Sequence, residues 1–468
     1  MSSDILINSA IGETRLAHME NGKPVEIRLF RDNDQSLMGA IYYGRVTSLS
    51  QEFQAAFVDL GNGITGFLPL KLLPKRAGKK PADLTSLLHE GQKIITQVTA
   101  DAVGDKSVKL TCRIEVVSSA LILHPFREGA FVSSRIKDPA RREELKKFGN
   151  GLNLHGMGLT LRTEAEYIPL EDLKKTAEHL IRHWRDAAAN RDKKKVPFLL
   201  SQTPDSLRQI LREYGSSKHD RIIFDQPSAL KVAQSWAREF APELLGRMQR
   251  HQGPLFEDFS VEEDLDQIFE KKIPLASGAW ITIEQTEAMV VIDVNMGNAK
   301  VHTDPQKQRF SVNSGAAREI FRQIRLRGLS GLIIIDFINM SGQKDVSHKT
   351  PTKSDISNLL GIVDNLILKD PAQIQRSNMS AFGLLELTRK SSHRSLSRQM
   401  LSETSPVATV ETAALALLRR SALDAAAKPG VPLSIKAAPA VRDWIMAQPQ
   451  LLNRFTRRTG SKLEIKGT

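Results

Sequence analysis

Two short apolar runs each carry a single aspartate near their end: Ala288-Met289-Val290-Val291-Ile292-Asp293-Val294-Asn295 and Gly331-Leu332-Ile333-Ile334-Ile335-Asp336-Phe337. A continuous Val/Ile run predicts a strand buried on both faces, where an ionised carboxylate is costly unless it is paired, hydrogen-bonded or bound to a cation. Either aspartate alone could do no more than end its strand. The matched pair predicts a shared divalent cation held by oxygen ligands. Between the runs, Ser314 to Arg327 places Ala317, Ile320, Phe321 and Ile324 on one helical face and Arg and Gln on the other, so the unit reads as a strand, helix, strand crossover. Such units present ligands at the carboxyl ends of their strands, where Asp293 and Asp336 lie. Glu287, just ahead of the first strand, is a candidate support for the site, though the reading as a surface carboxylate is favoured.

The chain has 468 residues, enough for about three domains and a substantial core. Its net charge is +13, and the excess is clustered at Lys71 to Lys80, Arg135 to Lys147, Arg191 to Lys195 and Arg322 to Arg327. A balance of this size points to a polyanion, nucleic acid first. Cys112 is the single cysteine, which excludes an intrachain disulfide framework and a thiolate zinc knuckle and makes a reducing cytoplasm the expected compartment. No run reaches the length of a membrane span, and from Met1-Ser2-Ser3-Asp4 no signal peptide is expected.

Along the chain, Asp4 to Ala10, Thr14 to Met19 and Val25 to Phe30 predict an antiparallel strand set turning at Gly12 and Asn21-Gly22. Five strand-like runs follow between Gly39 and Val116, the number that a small OB-type barrel needs. Residues 120 to 205 mix strands, including Gly158 to Arg162, with a charged helix at Leu170 to Ala189, and residues 206 to 270 alternate helices and strands. Lys390 to Ser405, rich in Ser and Arg, reads as a linker. The final segment predicts a helix at Val410 to Ala427, a strand at Pro432 to Ala437, a helix around Val441 to Phe455 and a strand at Leu463 to Lys466.

Within the barrel, Phe57 and Phe67 fall on neighbouring strands around the Gly61-Asn62-Gly63 turn. OB-folds bind single strands by stacking bases on such rings while basic side chains follow the backbone. Aromatic residues are 6% of the chain, yet Tyr42, Tyr43, Phe53, Phe57 and Phe67 lie close together beside Arg45 and Lys71, which sets a nucleic-acid surface on an equal footing with two ordinary core phenylalanines. Lys106 supplies a further cation.

The ordered motifs Phe57-Val58-Asp59, Gly66-Phe67-Leu68-Pro69-Leu70, Gly156-Met157-Gly158 with Arg162-Thr163, Ile292-Asp293-Val294-Asn295, Ile335-Asp336-Phe337 and Phe382-Gly383-Leu384-Leu385-Glu386 resemble those of the ribonuclease E/G family from near residue 1 to about residue 400. The resemblance implies an α/β and β multidomain fold: residues 1–35 and 207–269 as halves of an RNase H-like domain, an inserted OB-fold at 36–118, a 5′-monophosphate sensor at 119–206, a DNase I-like catalytic lobe at 270–392, a degenerate zinc link at 393–408 and a small α/β domain at 409–468. It implies a Mg²⁺-dependent endoribonuclease, with Mn²⁺ able to substitute, acting on single-stranded RNA in mRNA decay and stable-RNA processing and leaving 5′-phosphate and 3′-hydroxyl ends. Asp293 and Asp336 become the metal ligands and Asn295 a hydrogen-bonding support for Asp336. Phe57, Phe67 and Lys106 grip RNA, and Arg162 with Thr163 holds a terminal monophosphate, for which a guanidinium fork and a neutral hydroxyl are suited donors.

Departures are informative. The family's Cys-Pro-x-Cys zinc link corresponds to Ser405-Pro406-Val407-Ala408, so no zinc is expected and any homodimer forms without a zinc-thiolate link. Asn339 replaces a carboxylate common in relatives, and Met296-Gly297-Asn298-Ala299-Lys300 replaces a small basic run. The competing expectation is an RNA-binding scaffold of the same family that has lost turnover.

Overall fold

The computed structural model describes residues 2–33, 36–73, 87–102, 107–189, 191, 194–202, 205–216, 218–299, 302–340, 353–380, 382–390, 395–402, 407–428 and 430–467. Two compact units emerge, residues 1–31 with 252–468 and residues 32–251, so the second is nested in the chain of the first.

The first unit begins with β1 (Ser3–Ser9), β2 (Glu13–Glu20) and β3 (Lys23–Arg31), an antiparallel meander as the spacing predicts.

The nested unit opens with β4 (Ile41–Ser50), β5 (Ala55–Gly61), β6 (Ile64–Pro69), β7 (Lys93–Ala100) and β8 (Val108–Thr111). They pair in the order β4-β5-β6-β8-β7, and β7 returns to β4, closing a barrel. Strand alternation sends Val58, Leu60, Leu68, Val98, Val108 and Leu110 inward, and Cys112 joins them with its thiol pushed up to about 12 by burial. A second sheet combines β9 (Val116–Val117), β10 (Leu121–His124), β11 (Gly129–Val132) and β12 (Gly158–Leu161) in the order β11-β12-β10-β9. Helices α1 (Pro139–Gly151) and α2 (Leu170–Ala189) seal it around Leu121, Leu123, Leu145, Leu159, Leu173 and Leu180. The unit continues through β13 (Phe198–Ser201), which joins the barrel at β4, α3 (Ser206–Tyr214), β14 (Arg221–Phe224), α4 (Pro227–Phe240) and β15 (Met248–Arg250), parallel to β14.

The first unit resumes with α5 (Leu255–Asp258) and α6 (Val261–Gln267), and then builds one sheet. Its strands are β16 (Lys272–Pro274), β17 (Trp280–Gln285), β18 (Met289–Asn295), β19 (Gly331–Asp336), β20 (Ile374–Arg376) and β21 (Leu384–Arg389), in the order β16-β17-β18-β19-β21-β20. Only β18 and β19 run parallel, joined by α7 (Pro305–Leu326) as the crossover; Asp304 caps α7 by accepting from the backbone N–H groups of Gln306 and Lys307. Helix α7 and α8 (Lys353–Lys369) cover one face, burying Ile281, Ile292, Ile320, Ile333, Ile335, Leu359 and Leu385 in one core.

The expectation of strands buried on both faces is corrected here: burial alternates along β18 and β19, and Val291, Asp293 and Asp336 lie on an open face. The expected linker is corrected in part: Leu396–Met400 forms α9, whose Leu396 is buried, while residues 391–394 and 403–406 lie outside the described residues. The end of the chain is α10 (Val410–Ala427), β22 (Leu433–Ala437), α11 (Pro439–Met446), α12 (Pro449–Thr459) and β23 (Leu463–Gly467). The expected single helix near 441–455 is two helices, because Pro449 lacks the N–H that would continue the first and instead starts the second. Ile11, at the β1–β2 turn, packs among Ala414, Leu418, Leu451 and Phe455, and Arg31 donates to Glu411 at 2.8 Å and to Thr412 at 2.7 Å. Apolar burial and a paired charge thus fix this segment to the meander.

Candidate active site and nucleic-acid interface

The register of β18 and β19 sets Asp293 directly opposite Asp336, with Leu384 of β21 beyond Asp336 and Thr282 of β17 beyond Asp293. Cross-strand partners share a face, so the two carboxylates stand side by side on the open side of the sheet, about 5 Å apart at the backbone. The Asp336 carboxyl is held above its ordinary value, first by partial burial and then by the negative charge of Asp293. Among the described residues neither carboxylate makes an ion pair.

Asn295 corrects one expectation. Its Nδ2 donates to Oδ2 of Asp293 at 2.6 Å rather than to Asp336. Residues two apart on a strand share a face, whereas β19 ends at Asp336 and offers Asn295 no opposite neighbour. Glu287 is exposed in the turn that enters β18, at the far end of the strand from Asp293, as the surface reading holds.

Buried polar groups fix the loops around this pair. Asn313, on α7 and fully buried, donates to the Ile338 carbonyl at 2.8 Å and accepts from the Ile338 N–H at 3.1 Å, pinning the chain just after Asp336. The sequence reading missed it, although Asn313, Ala317, Ile320 and Ile324 fall on one helical face, where a lone amide signals a specific partner. Gln308 bonds the Ala299 carbonyl and the His302 N–H, both at 2.5 Å, clamping the loop that follows Asn295. Gly297 lies at φ +52°, and a Cβ there would come within 2.5 Å of the Trp280 ring, so only glycine lets this loop lie against the tryptophan. Arg389 makes a buried two-point pair with Asp370 at 3.0 and 3.1 Å and donates to the Leu329 carbonyl, tying β21 to the entry of β19.

In the nested unit, Phe57 and Phe67 are direct cross-strand partners, half-buried on the outside of the barrel, with ring centroids 5.8 Å apart and planes at 64°. They are not core residues. Tyr42, by contrast, is buried in the barrel core, and Tyr43 packs edge-on against Phe198. Arg45 donates to the Val196 carbonyl, Lys71 is exposed, and Lys106 lies outside the described residues.

Arg162 follows β12 with its Nη1 donating to the Ser118 and Ser119 carbonyls at 2.8 and 2.9 Å, so one nitrogen of the fork anchors the side chain. Burial lowers its pKa, a trend that Glu164 opposes. Thr163 Oγ1 lies 3.2 Å from Ser133 Oγ, and Arg142 donates to the Ser133 carbonyl at 2.8 Å. Nearby, burial pushes the Glu243 carboxyl up to about 7.

Among the described residues no three His, Cys, Asp or Glu side chains converge to hold a metal, so the aspartate pair is a two-carboxylate site. Ser405 and Pro406 of the degenerate zinc link lie outside the described residues; Ala408 pairs with Leu401. Among the described residues no helix is long and apolar enough to cross a membrane.

The model of the Ribonuclease E/G family matches residues 116–392, which include both aspartates and Arg162. The chain belongs to the ribonuclease E/G family. Residues 38–113, the closed barrel, match the S1 RNA binding domain. The chain is 30% identical to Ribonuclease G of Escherichia coli strain K12 over 436 residues, covering 90% of this chain and 87% of that protein. It is 28% identical to Ribonuclease G of Haemophilus influenzae over 99% of this chain and 96% of the relative. Against Ribonuclease E of Escherichia coli strain K12 the identity is 31% over 81% of this chain and 36% of that longer protein.

Proposed function

We propose that the protein is a metal-dependent endoribonuclease that cuts single-stranded RNA in RNA processing and decay. Family membership supports an endoribonuclease, and the S1 barrel supports an RNA substrate. The observation that carries the metal-dependent reading is the register of Asp293 against Asp336: two carboxylates side by side, without a cationic partner among the described residues, are a donor set suited to a hard divalent cation. Asp293 and Asp336 would hold Mg²⁺, or Mn²⁺ in its place. The chemistry such an ion supplies is Lewis acidity, which lowers the pKa of a bound water and offsets charge at the phosphate.

Asn295 fixes one oxygen of Asp293, leaving the other free to face a ligand. Water attacks phosphorus in line with the departing 3′-oxygen; the bond from phosphorus to that oxygen breaks, and the products carry a 5′-phosphate and a 3′-hydroxyl. Phe57 and Phe67 offer rings to unstacked bases, with Lys106 as the proposed cation beside them; duplex RNA, whose bases are already stacked, cannot use them. Arg162 and Thr163 favour substrates with a 5′-monophosphate, the anchored guanidinium presenting its remaining nitrogens and Thr163 its hydroxyl. The domain boundaries implied by the motifs, including the RNase H-like halves and DNase I-like lobe, belong to the same proposal, as does a cytoplasmic location.

The test is cleavage of 5′-monophosphorylated and 5′-hydroxyl single-stranded oligonucleotides with Mg²⁺ or EDTA, comparing wild type with Asp336→Asn. Cleavage that needs both the cation and Asp336 upholds the reading. RNA binding without cleavage in Mg²⁺ or Mn²⁺ overturns it in favour of a scaffold.

A further inference from the structure

We infer that Phe382 is a stacking platform for a base next to the scissile phosphate, an inference that rests on the nuclease reading and deepens it. Phe382 opens the Phe382-Gly383-Leu384-Leu385-Glu386 motif, for which the proposed chemistry has so far supplied no role. Its side chain is 90% exposed, and among the described residues its ring makes no aromatic or cationic contact. A phenyl ring left in water forgoes about 2 kcal/mol of burial, so a hydrogen-bonded segment that leaves one exposed needs a reason.

Hydrogen bonds hold the described backbone around the ring. Ser380 Oγ accepts from the N–H groups of Phe382 at 3.3 Å and Leu384 at 3.2 Å, the Gly383 N–H donates to the Ser380 carbonyl at 3.0 Å, and the Ser380 N–H donates to the Leu384 carbonyl at 2.8 Å. Gly383 closes this turn at φ +85°, a conformation that glycine takes without strain. Among the described residues, four hydrogen bonds tie Ser380 to Phe382, Gly383 and Leu384 and hold the Phe382 backbone beside the start of β21.

Its position is set by register. Asp293, Asp336 and Leu384 form one row across three adjacent strands, and Phe382 precedes Leu384 by two residues, so its backbone lies within about 7 Å of the end of that row. The Phe382 backbone therefore lies just past the β21 end of the row that carries the carboxylate pair. On the β17 side, the corresponding aromatic is already engaged: Trp280 carries the Lys272 ammonium 3.8 Å from its ring centroid and has the Gly297 backbone against it. Phe382 is the free ring of the two. A strand held in line at Asp293 and Asp336 meets it with the base of a neighbouring nucleotide, and every base has a π-face to offer.

The experiment scans single abasic nucleotides across both sides of the cleaved bond in one oligonucleotide and measures kcat/KM for wild type, Phe382→Ala and Phe382→Tyr. Loss of one stacked base corresponds to about fivefold to hundredfold. The expected result is a loss of that size for Phe382→Ala on intact RNA, recovery with Phe382→Tyr, and one abasic position at which wild type suffers the same loss and Phe382→Ala no further loss. Equal activity of Phe382→Ala and wild type, or a loss that is the same at every abasic position, overturns the inference. If wild type cuts no RNA, the nuclease reading fails separately, and equilibrium binding of the same oligonucleotides decides the stacking: an affinity loss in Phe382→Ala that disappears at one abasic position upholds it, and no loss or a uniform loss overturns it.

Discussion

Neutralising Asp336 should make the cation-free protein more stable while abolishing its response to divalent cations. Asp293 and Asp336 are register partners on adjacent parallel strands, and among the described residues no cation offsets them. Two unit charges about 5 Å apart repel by about 0.8 kcal/mol in bulk water and about 3 kcal/mol at an effective dielectric of 20. Asp336 is open to solvent, which screens the repulsion toward the lower figure, so about 1 kcal/mol is expected from Asp336→Asn in EDTA. For a unit of this size that is a rise in Tm of about 2 to 4 °C. The pH dependence fixes the sign. Asp336 titrates above its ordinary value, so its repulsive contribution grows as pH rises through the window from the unfolded-state pKa to the raised one and is absent below it. The gain of Asp336→Asn is therefore present near pH 7.5 and fades as the solution is acidified. With Mg²⁺ at about 100 times its dissociation constant, wild type gains about 2.7 kcal/mol by linkage, and a variant without the paired site gains little. Thermal unfolding of both proteins in EDTA and in Mg²⁺, at neutral and acid pH, reads all of this directly. Equal stabilisation of both proteins by Mg²⁺, or a less stable Asp336→Asn protein in EDTA, would refute the reasoning.

Three other outcomes follow from the geometry. Replacing Phe57 or Phe67 by Ala should weaken single-stranded RNA binding by about 1 to 3 kcal/mol, measured by fluorescence anisotropy, with melting of the barrel little changed because both rings are half-buried on its outside. Asn295→Ala should lower kcat/KM or the affinity for Mg²⁺ by about tenfold to hundredfold, since it frees an oxygen of Asp293 from its orienting donor; an unchanged Mg²⁺ titration with unchanged turnover would show the hydrogen bond to be incidental. Glu243, whose carboxyl is pushed up to about 7 by burial, lowers stability as pH rises from about 4.5 to 7, by about 3 kcal/mol in all. Glu243→Gln should therefore gain stability relative to wild type above pH 7 and gain nothing near pH 4, which denaturant titrations at the two pH values would measure.

Strand runs and helix periodicity made most of the fold legible. The meander, the five barrel strands, the long helix Leu170–Ala189 and the helix Val410–Ala427 all follow from local pattern. The misreading of β18 and β19 as buried on both faces has a non-local cause. Val291 and Ile334 look like core residues, but α7 and α8 cover only the opposite face of their sheet, and nothing within a seven-residue strand reveals which of its faces remains open. The period of two along β18 puts Asn295 on the face of Asp293, so its partner is legible in the pleat of its own strand, whereas the family resemblance pointed to Asp336. Asn313 was equally readable as an amide on an apolar helical face, although its partner, the backbone of Ile338, was not.

The open face sets apolar and polar residues together around the carboxylates. Val291 stands 37% exposed opposite the half-buried Ile334, and Leu384 adjoins Asp336, while Thr282 and Asn295 flank Asp293 and two further carboxylates, Glu284 opposite Val291 and Glu386 opposite Ile334, lie on the same face. Such surroundings penalise an isolated negative charge, which is the leading cause of the raised Asp336 pKa, and they strengthen the attraction of the same charges for a cation. The apolar part of this face, Val291, Ile334 and Leu384, offers contact area to the sugar and base of a bound nucleotide, and exposed apolar residues beside unpaired carboxylates suit a site completed by its substrate; the 90% exposed ring of Phe382, just ahead of Leu384, extends the same logic.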